Sequence, residues 1–313
     1  MSAIRKVLNL IEKKRGSKNL FFLFILGVKD VLWFLSYKIP YKILKLYFVC
    51  RQRIIVDMYI RFNKYRKPVA IYHRISFCVT CMNRSEHIKK TLKKNMIDNS
   101  EYPDLEFVLL DYNSSDDLQE WVFQNFKDEL EIGRLIYYQT KTPKYFHMAN
   151  AKNIAHNIAT GDIVCNLDAD NFLGKDFAFY VNTSMQHNTD IIGVHQRNNK
   201  YIPAHISDCG GRIFLTKENF LKLGGYNEEF IGWGYEDTEF KERAFIMGLK
   251  KEEIPRGFLR SISHDNVMRA KNMRVPFEEL IEINSKLFEK NRINGIFNIT
   301  NNPIDFSQIK RIQ

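Results

Sequence analysis

From residue 75 onward, apolar positions fall into short strand-like runs that alternate with helix-like ones. Ile75–Cys81 (ISFCVTC) is brief and mostly apolar, which predicts a buried strand. Ser85 then stands as a candidate N-cap, and Ile88, Leu92 and Met96 recur every four residues, which predicts an amphipathic helix. Leu105–Leu110 (LEFVLL) predicts a second strand, ending in the polar turn 111–117. A helix containing Leu118, Trp121, Val122 and Phe126 follows, then a strand over Arg134–Gln139 and a helix over Ala149–Ala159. Gly161 breaks the chain before a fourth strand at Asp162–Leu167 (DIVCNL). This alternation predicts an α/β fold with a mostly parallel sheet flanked by helices, and ligands held beyond the carboxyl ends of its strands.

The first seventy residues follow another pattern. Leu20–Val28 (LFFLFILGV) and Val31–Leu35 (VLWFL) are separated by Lys29 and Asp30, and basic residues flank both sides. A spanning helix needs ~20 mostly apolar residues, and each central charge costs roughly 2.5–3.5 kcal/mol. Beyond Pro40, large apolar residues mix with Lys as they do in interfacial helices. Residues 1–70 are therefore expected to be a basic, apolar helical segment on a membrane surface. The expected location is peripheral, on the cytoplasmic face. A single-pass anchor, a helical bundle or partner-binding segment, and a segment packed on the rest of the chain stay open. The division expected is 1–70 membrane-associating, 71–270 catalytic, and 271–313 a C-terminal helical extension.

Charge supports this division. The 313-residue chain has a formal net charge of +11, which resembles a nucleic-acid signal until it is located. Residues 1–70 hold 16 Lys/Arg against 3 Asp/Glu, so the remaining residues are slightly acidic. Nucleic-acid binding is not expected, because the basic end carries aliphatic runs rather than a folded platform of interleaved aromatic and basic residues. The five cysteines are odd in number and irregular in spacing, which argues against a disulfide framework. Cys78 and Cys81 lie in an apolar run with no second pair at zinc spacing, so they are expected to be buried thiols.

Three strings can carry chemistry. Asn166-Leu-Asp-Ala-Asp-Asn171 sets Asp168 and Asp170 directly after a strand. Residues i and i+2 share a strand face, and carboxylate oxygens suit Mg²⁺ or Mn²⁺. Surface turns also produce this spacing. The second string runs from Gly224 to Asp237 (GGYNEEFIGWGYED) and brackets Trp233 with Gly232 and Gly234. Its Glu236 and Asp237 open a helix that ends near Met247. Helix dipoles favour such acids, but an indole beside a carboxylate also suits a sugar hydroxyl and its proton. The third, Arg260-Ser-Ile-Ser-His-Asp265, ends a strand-like run over Phe258–Ile262. His264 is a candidate metal ligand there, although a lone histidine is more often structural or merely exposed.

In this order the three strings resemble the GT-A-fold (Rossmann-like) nucleotide-sugar glycosyltransferases. The nearest likeness is to glycosyltransferase family 2 and the galactosyltransferase C-terminal region, marked by a Trp-Gly-x-Glu-Asp loop. The likeness spans roughly Ile75 to Asp265. It implies donor contacts from Thr80, Arg84, Asp111, Lys152, Asp168 and Gly211, with Asp111 pairing with uracil and Asp168 facing ribose. It implies metal ligation by Asp170 and His264, an acceptor site lined by Trp233, Gly234 and Glu236, and Asp237 as catalytic base. Met82 replaces a frequent aromatic residue. Ser261 stands where close galactosyltransferases have a Met ligand, which shifts the expected metal from Mn²⁺ toward Mg²⁺.

The function expected from this likeness is an inverting, metal-dependent transfer of a hexose or N-acetylhexosamine. Galactose or N-acetylgalactosamine from a UDP-sugar, passed to a glycan or lipid-linked acceptor, is the specific form. A nucleotidyltransferase acting on sugar phosphates would need a Gly-rich phosphate loop, and Cys81–Ser85 (CMNRS) has no glycine. A non-enzymatic membrane adaptor would leave the coincidence of Asp170, Trp233, Asp237 and His264 unexplained.

Overall fold

The computed structural model describes residues 71–195, 209–262, 272–295, 299, 301 and 303–312. All of them fall within one compact unit, Ile55–Gln313. The expected membrane segment 1–70 lies outside the described residues. No helix among those described is long and apolar enough to cross a membrane.

Strands β1 (Ile75–Cys81), β2 (Leu105–Tyr112), β3 (Leu135–Thr140) and β4 (Ile163–Asp168) form the parallel centre, in the order β3-β2-β1-β4. Every residue of β1 and β2 is buried, as their near-continuous apolar runs require of a sheet covered on both faces. Alternation divides the two cores. Phe77, Val79, Phe107 and Leu109 face helix α1 (Ser85–Asp98), which contributes Ile88, Leu92 and Met96. Cys78, Val108, Leu110 and Val164 face α4 (Met148–Ile158), whose Ala149, Ala151 and Ala155 permit close packing. Burying each large aliphatic side chain contributes roughly 1.5–3 kcal/mol. Cys78 and Cys81 are free, buried thiols, as expected, and Cys165 and Cys209 are buried as well.

Helices α2 (Leu118–Asn125) and α3 (Lys127–Glu131) link β2 to β3, near the positions the pattern predicts. The other half of the sheet departs from simple alternation. After β5 (Asn171–Phe172) and α5 (Phe177–His187), β6 (Ile191–His195) and β7 (Ile213–Thr216) pair antiparallel, and β7 also lies antiparallel to β4. Then come α6 (Lys217–Lys222), α7 (Glu236–Ile246) and β8 (Lys250–Ile254), which pairs parallel with β6 at one edge. A two-residue strand β9 (Arg260–Ser261) pairs with β5. The residues after 271, expected to be helical, hold α8 (Phe277–Asn294) and also β10 (Ile309–Ile312), which adds antiparallel to β3. Charged side chains in β8 and β10 (KKEEI, IKRI) suit their edge positions.

Two local expectations are corrected. Ser85 is the first helical residue rather than the N-cap, because its N–H and Oγ donate instead to Asp116 (2.9 Å) and Asp117 (2.7 Å). The predicted strand over Phe258–Ile262 is a 3-10 turn at Arg256–Phe258 followed by the short β9. Phe258 there turns into the core and lies 5.2 Å from the Phe177 ring.

Candidate active site

The carboxyl ends of β1 and β4 open into a cleft. Thr80, Cys81, Met82 and Arg84 enter from the end of β1, and Asp168, Ala169 and Asp170 from the end of β4. Thr80 and Asp168 are register partners across the two strands. Asp168 ends β4, and Asp170 lies in the turn beyond it. The two carboxylates therefore meet through a turn and not through the pleat of one strand face.

Gly210 and Gly211 close one wall. A Cβ on Gly211 would lie 2.8 Å from Asp168 Oδ2, 3.0 Å from Asp237 Oδ2 and 3.2 Å from Asn166 Nδ2. Acids 69 positions apart thus converge on one glycine, which has no side chain to separate them. Asn166 Nδ2 donates both to Asp168 Oδ1 (3.0 Å) and to Gly211 O (2.8 Å), fixing this wall.

The loop carrying Trp233 reaches the cleft through α4. Asn153 accepts from Tyr226 N (2.7 Å) and donates to Tyr226 O (2.9 Å), pinning the loop to that helix. Gly234 has φ +105°, a conformation that favours glycine, and Tyr235 follows at φ +70° to start α7. From α8, Asn284 Nδ2 donates to the carbonyls of Ile231, Trp233 and Gly234 at 2.8, 3.2 and 3.0 Å. The Trp233 ring is half-buried, 5.4 Å from Phe277.

Lys152 was expected beside the donor. It lines the cleft, and its Nζ lies 2.7 Å from Asp237 Oδ1 and 3.0 Å from Glu236 Oε1. Glu236 Oε2 accepts from Gly234 N (2.9 Å), so this buried carboxylate ties lysine to loop. Burial alone would depress the Lys152 pKa, but the Asp237 and Glu236 carboxylates outweigh it and hold the ammonium well above its ordinary range. Burial pushes the Asp168 carboxyl up to about 6, with Lys152 opposing and the charges of Asp237 and Asp170 adding to the rise. Such crowded acids favour a bound cation, and Asp168 and Asp170 offer the hard oxygen donors that Mg²⁺ or Mn²⁺ takes. No group of three metal-ligating side chains occurs among the described residues.

Ten of the twelve residues picked from sequence line this one cleft: Thr80, Arg84, Lys152, Asp168, Asp170, Gly211, Trp233, Gly234, Glu236 and Asp237. Asp111 does not. It is buried beneath the end of β2, where Tyr137 Oη (2.7 Å), Gln139 Nε2 (2.9 Å) and Ser114 N (2.7 Å) donate to its carboxylate. His264 lies outside the described residues. The neighbouring described chain runs beside the acids, since Ile262 N donates to Asp170 O (2.8 Å).

Phe146, Met148, Lys241, Asn272 and Met273 also line the cleft and were not picked from sequence. Lys241 could have been found, because it follows Asp237 by four residues on one helix face. Asn272 carried no such signal. It donates to Met82 O (2.7 Å), and its own carbonyl accepts from Phe146 N (2.8 Å), joining two rims far apart in sequence.

Known proteins share parts of this chain's sequence and its fold. A family model described as glycosyl transferase family 2 matches residues 76–229, and one described as the N-terminal domain of galactosyltransferase matches 194–268. The GalNAc(5)-diNAcBac-PP-undecaprenol beta-1,3-glucosyltransferase of Campylobacter jejuni is 30% identical over 190 residues, 60% of this chain and 52% of that protein. Human beta-1,4-galactosyltransferase 2 is 38% identical over 58 residues, 18% of this chain and 16% of that one. The chain thus spans about half, or less, of the length of these curated relatives. Among solved structures, the mannosyltransferase PcManGT from Pyrobaculum calidifontis in complex with GDP-Man and Mn²⁺ superposes with TM-score 0.52 at 17% identity, covering 79% of this chain and 80% of that one. GalNAc-T7 with UDP, GalNAc and Mn²⁺ gives TM-score 0.52 at 16% identity, covering 62% and 44%. At these identities the structural likeness is one of fold.

Proposed function

The chain belongs to the GT-A-fold glycosyltransferases of family 2, and from that premise we propose that it moves a hexose or N-acetylhexosamine from a UDP-sugar to a glycan or lipid-linked acceptor, with inversion. The observation that carries this reading is the meeting of Asp168 and Asp237 against Gly211, in a cleft that Asp170 and Trp233 also line. An acid pair that binds a nucleotide and its metal, and a separate acid beside an indole, are what a direct sugar transfer needs in one place.

In the proposed reaction the acceptor hydroxyl oxygen attacks the anomeric carbon as the bond to the diphosphate oxygen breaks. Asp237 takes the hydroxyl proton, and the nucleoside diphosphate departs with the bonding electron pair. Lys152 holds the Asp237 carboxylate in place through its ion pair. Trp233 offers a half-buried indole on which an acceptor sugar ring can stack. Asp170, with Asp168 facing the ribose, would hold a divalent cation, for which His264 is the further candidate ligand. A bound Mn²⁺ or Mg²⁺ supplies charge stabilisation to the leaving diphosphate.

Homologues named for glucosyl and galactosyl transfer support a hexose donor. The undecaprenol-linked acceptor in the name of the Campylobacter relative supports a lipid-linked acceptor and, with it, attachment of residues 1–70 to a membrane surface. The test is a screen of sugar nucleotides with the full chain in Mn²⁺ and in Mg²⁺, following release of the nucleoside diphosphate. Metal-dependent consumption of a UDP-hexose or UDP-N-acetylhexosamine is the expected result. Turnover of a nucleoside triphosphate with a sugar phosphate, and of no sugar nucleotide, would overturn the reading.

A further inference from the structure

Among the described residues the largest fully buried side chain is Arg212, which directly follows Gly211. Gly211 faces the acids of the cleft, while Arg212 points into the protein beneath them. Its Nη1 donates to Phe258 O (3.3 Å), and its Nη2 donates to Asn171 Oδ1 (3.1 Å) and Phe172 O (3.4 Å). The guanidinium also lies 5.5 Å from the centre of the Phe177 ring. No carboxylate pairs with it among the described residues, and its Nε has no hydrogen-bond partner there. A buried charge so placed is costly, and packing alone would be served as well by an apolar side chain of similar length.

The contact with Asn171 points to a use for that charge. A guanidinium only donates, so the Asn171 amide must turn its oxygen toward Arg212. Its Nδ2 then faces the other way and donates to Asp170 Oδ1 at 2.7 Å. With Arg212 in place, the reversed amide would set oxygen against the Asp170 carboxylate and NH₂ against the guanidinium, so one of the two orientations is excluded. The backbone around this relay is held as well: Asn171 pairs with Ser261, and Ile262 N donates to Asp170 O (2.8 Å).

We propose that Arg212 is a positioning residue for the divalent-cation site, acting through the Asn171 amide to fix the Asp170 carboxylate. The inference rests on the reading of Asp170 as a metal-binding acid. Groups behind a metal ligand typically change metal affinity by about 10–100-fold when removed. Arg212→Met removes the charge and the donor while filling a similar length. Arg212→Lys keeps a donor-only head.

The experiment titrates Mn²⁺ into the full chain, alone and with UDP, following free Mn²⁺ by electron paramagnetic resonance, with thermal unfolding of each variant alongside. Arg212→Met is expected to weaken Mn²⁺ binding by about 10–100-fold while still unfolding cooperatively, and Arg212→Lys to recover most of the loss. Asn171→Ala should weaken binding to a similar degree, and adding Arg212→Met to it should change little, because both act on one relay. If Arg212→Met fails to fold, Asn171→Ala decides the matter. Wild-type Mn²⁺ affinity in Arg212→Met, or in Asn171→Ala where that variant decides, overturns the proposal. A wild-type chain that binds neither Mn²⁺ nor Mg²⁺, with or without UDP, overturns the reading of Asp170 itself and the relay with it.

Discussion

The ammonium of Lys152 lies 2.7 Å from Asp237 Oδ1, and its other carboxylate partner, Glu236 Oε1, is 3.0 Å away. Lys152 and Glu236 are almost fully buried, whereas the Asp237 side chain keeps 20% of its surface exposed. One acid is thus buried for structure and the other is left open to the cleft, although they are neighbours in sequence. The lysine holds the first against Gly234 N and aims the second.

Removing the lysine leaves two acids without their cation. Lys152→Met should therefore destabilise the protein by about 3 kcal/mol, the lower end of what breaking a buried pair costs, because Asp237 is partly solvated. Adding Glu236→Gln should recover part of that loss. Urea denaturation of the two variants checks both statements, and an unchanged midpoint for Lys152→Met would show the pairs to be energetically idle.

Asp237→Asn keeps the shape of the side chain and removes its basicity. Transfer should fall by about 10²–10⁴-fold. Calorimetric affinity for the donor nucleotide should stay near wild type. Near wild-type transfer in this variant would remove Asp237 from the role of base.

Gly211→Ala should separate activity from stability. The added methyl meets the ends of three short side chains, Asp168 Oδ2 at 2.8 Å, Asp237 Oδ2 at 3.0 Å and Asn166 Nδ2 at 3.2 Å, which must turn against the hydrogen bonds that Asn166 and Lys152 make to the two acids. The fold should tolerate that shift with a melting temperature near wild type. The site should not, and a displacement of this size is expected to lower kcat/KM on the order of 10²-fold.

Acid should weaken the fold through His156. Burial lowers its pKa from 6.5 to about 4, while its Nδ1 lies 2.7 Å from Lys152 O. The folded state disfavours the protonated ring, so the unfolded chain binds more protons between these two values. Stability from this group is fully present above pH 6.5 and is lost as pH falls toward 4, by roughly 3 kcal/mol in all. His156→Gln should flatten that part of a stability-against-pH curve, and an unchanged slope would assign the acid sensitivity elsewhere.

Removing residues 1–70 should abolish co-sedimentation with anionic vesicles while sugar-nucleotide turnover persists. A truncated chain that sediments like the full one would place membrane attachment outside that segment.

The central strands were legible because burial on both faces demands uninterrupted apolar runs, and Ile75–Cys81 and Leu105–Leu110 are such runs. β10 was not legible. Its Ile-Lys-Arg-Ile alternates too briefly to signal a strand, and its pairing with β3 depends on a long return of the chain. Ser85 misled because a serine before an apolar helix suits an N-cap, yet the nearby loop acids satisfy it instead.

By itself the sequence determined the kind of protein: a covered α/β sheet with acids at the strand ends and a glycine-bracketed tryptophan loop. Local periodicity and residue chemistry are enough for that. Only the tertiary structure decided how those groups divide their work, because that depends on distances between positions far apart along the chain. It set Lys152 on Asp237, withdrew Asp111 beneath the cleft, brought Asn272 to its rim, and buried Arg212 behind the acids.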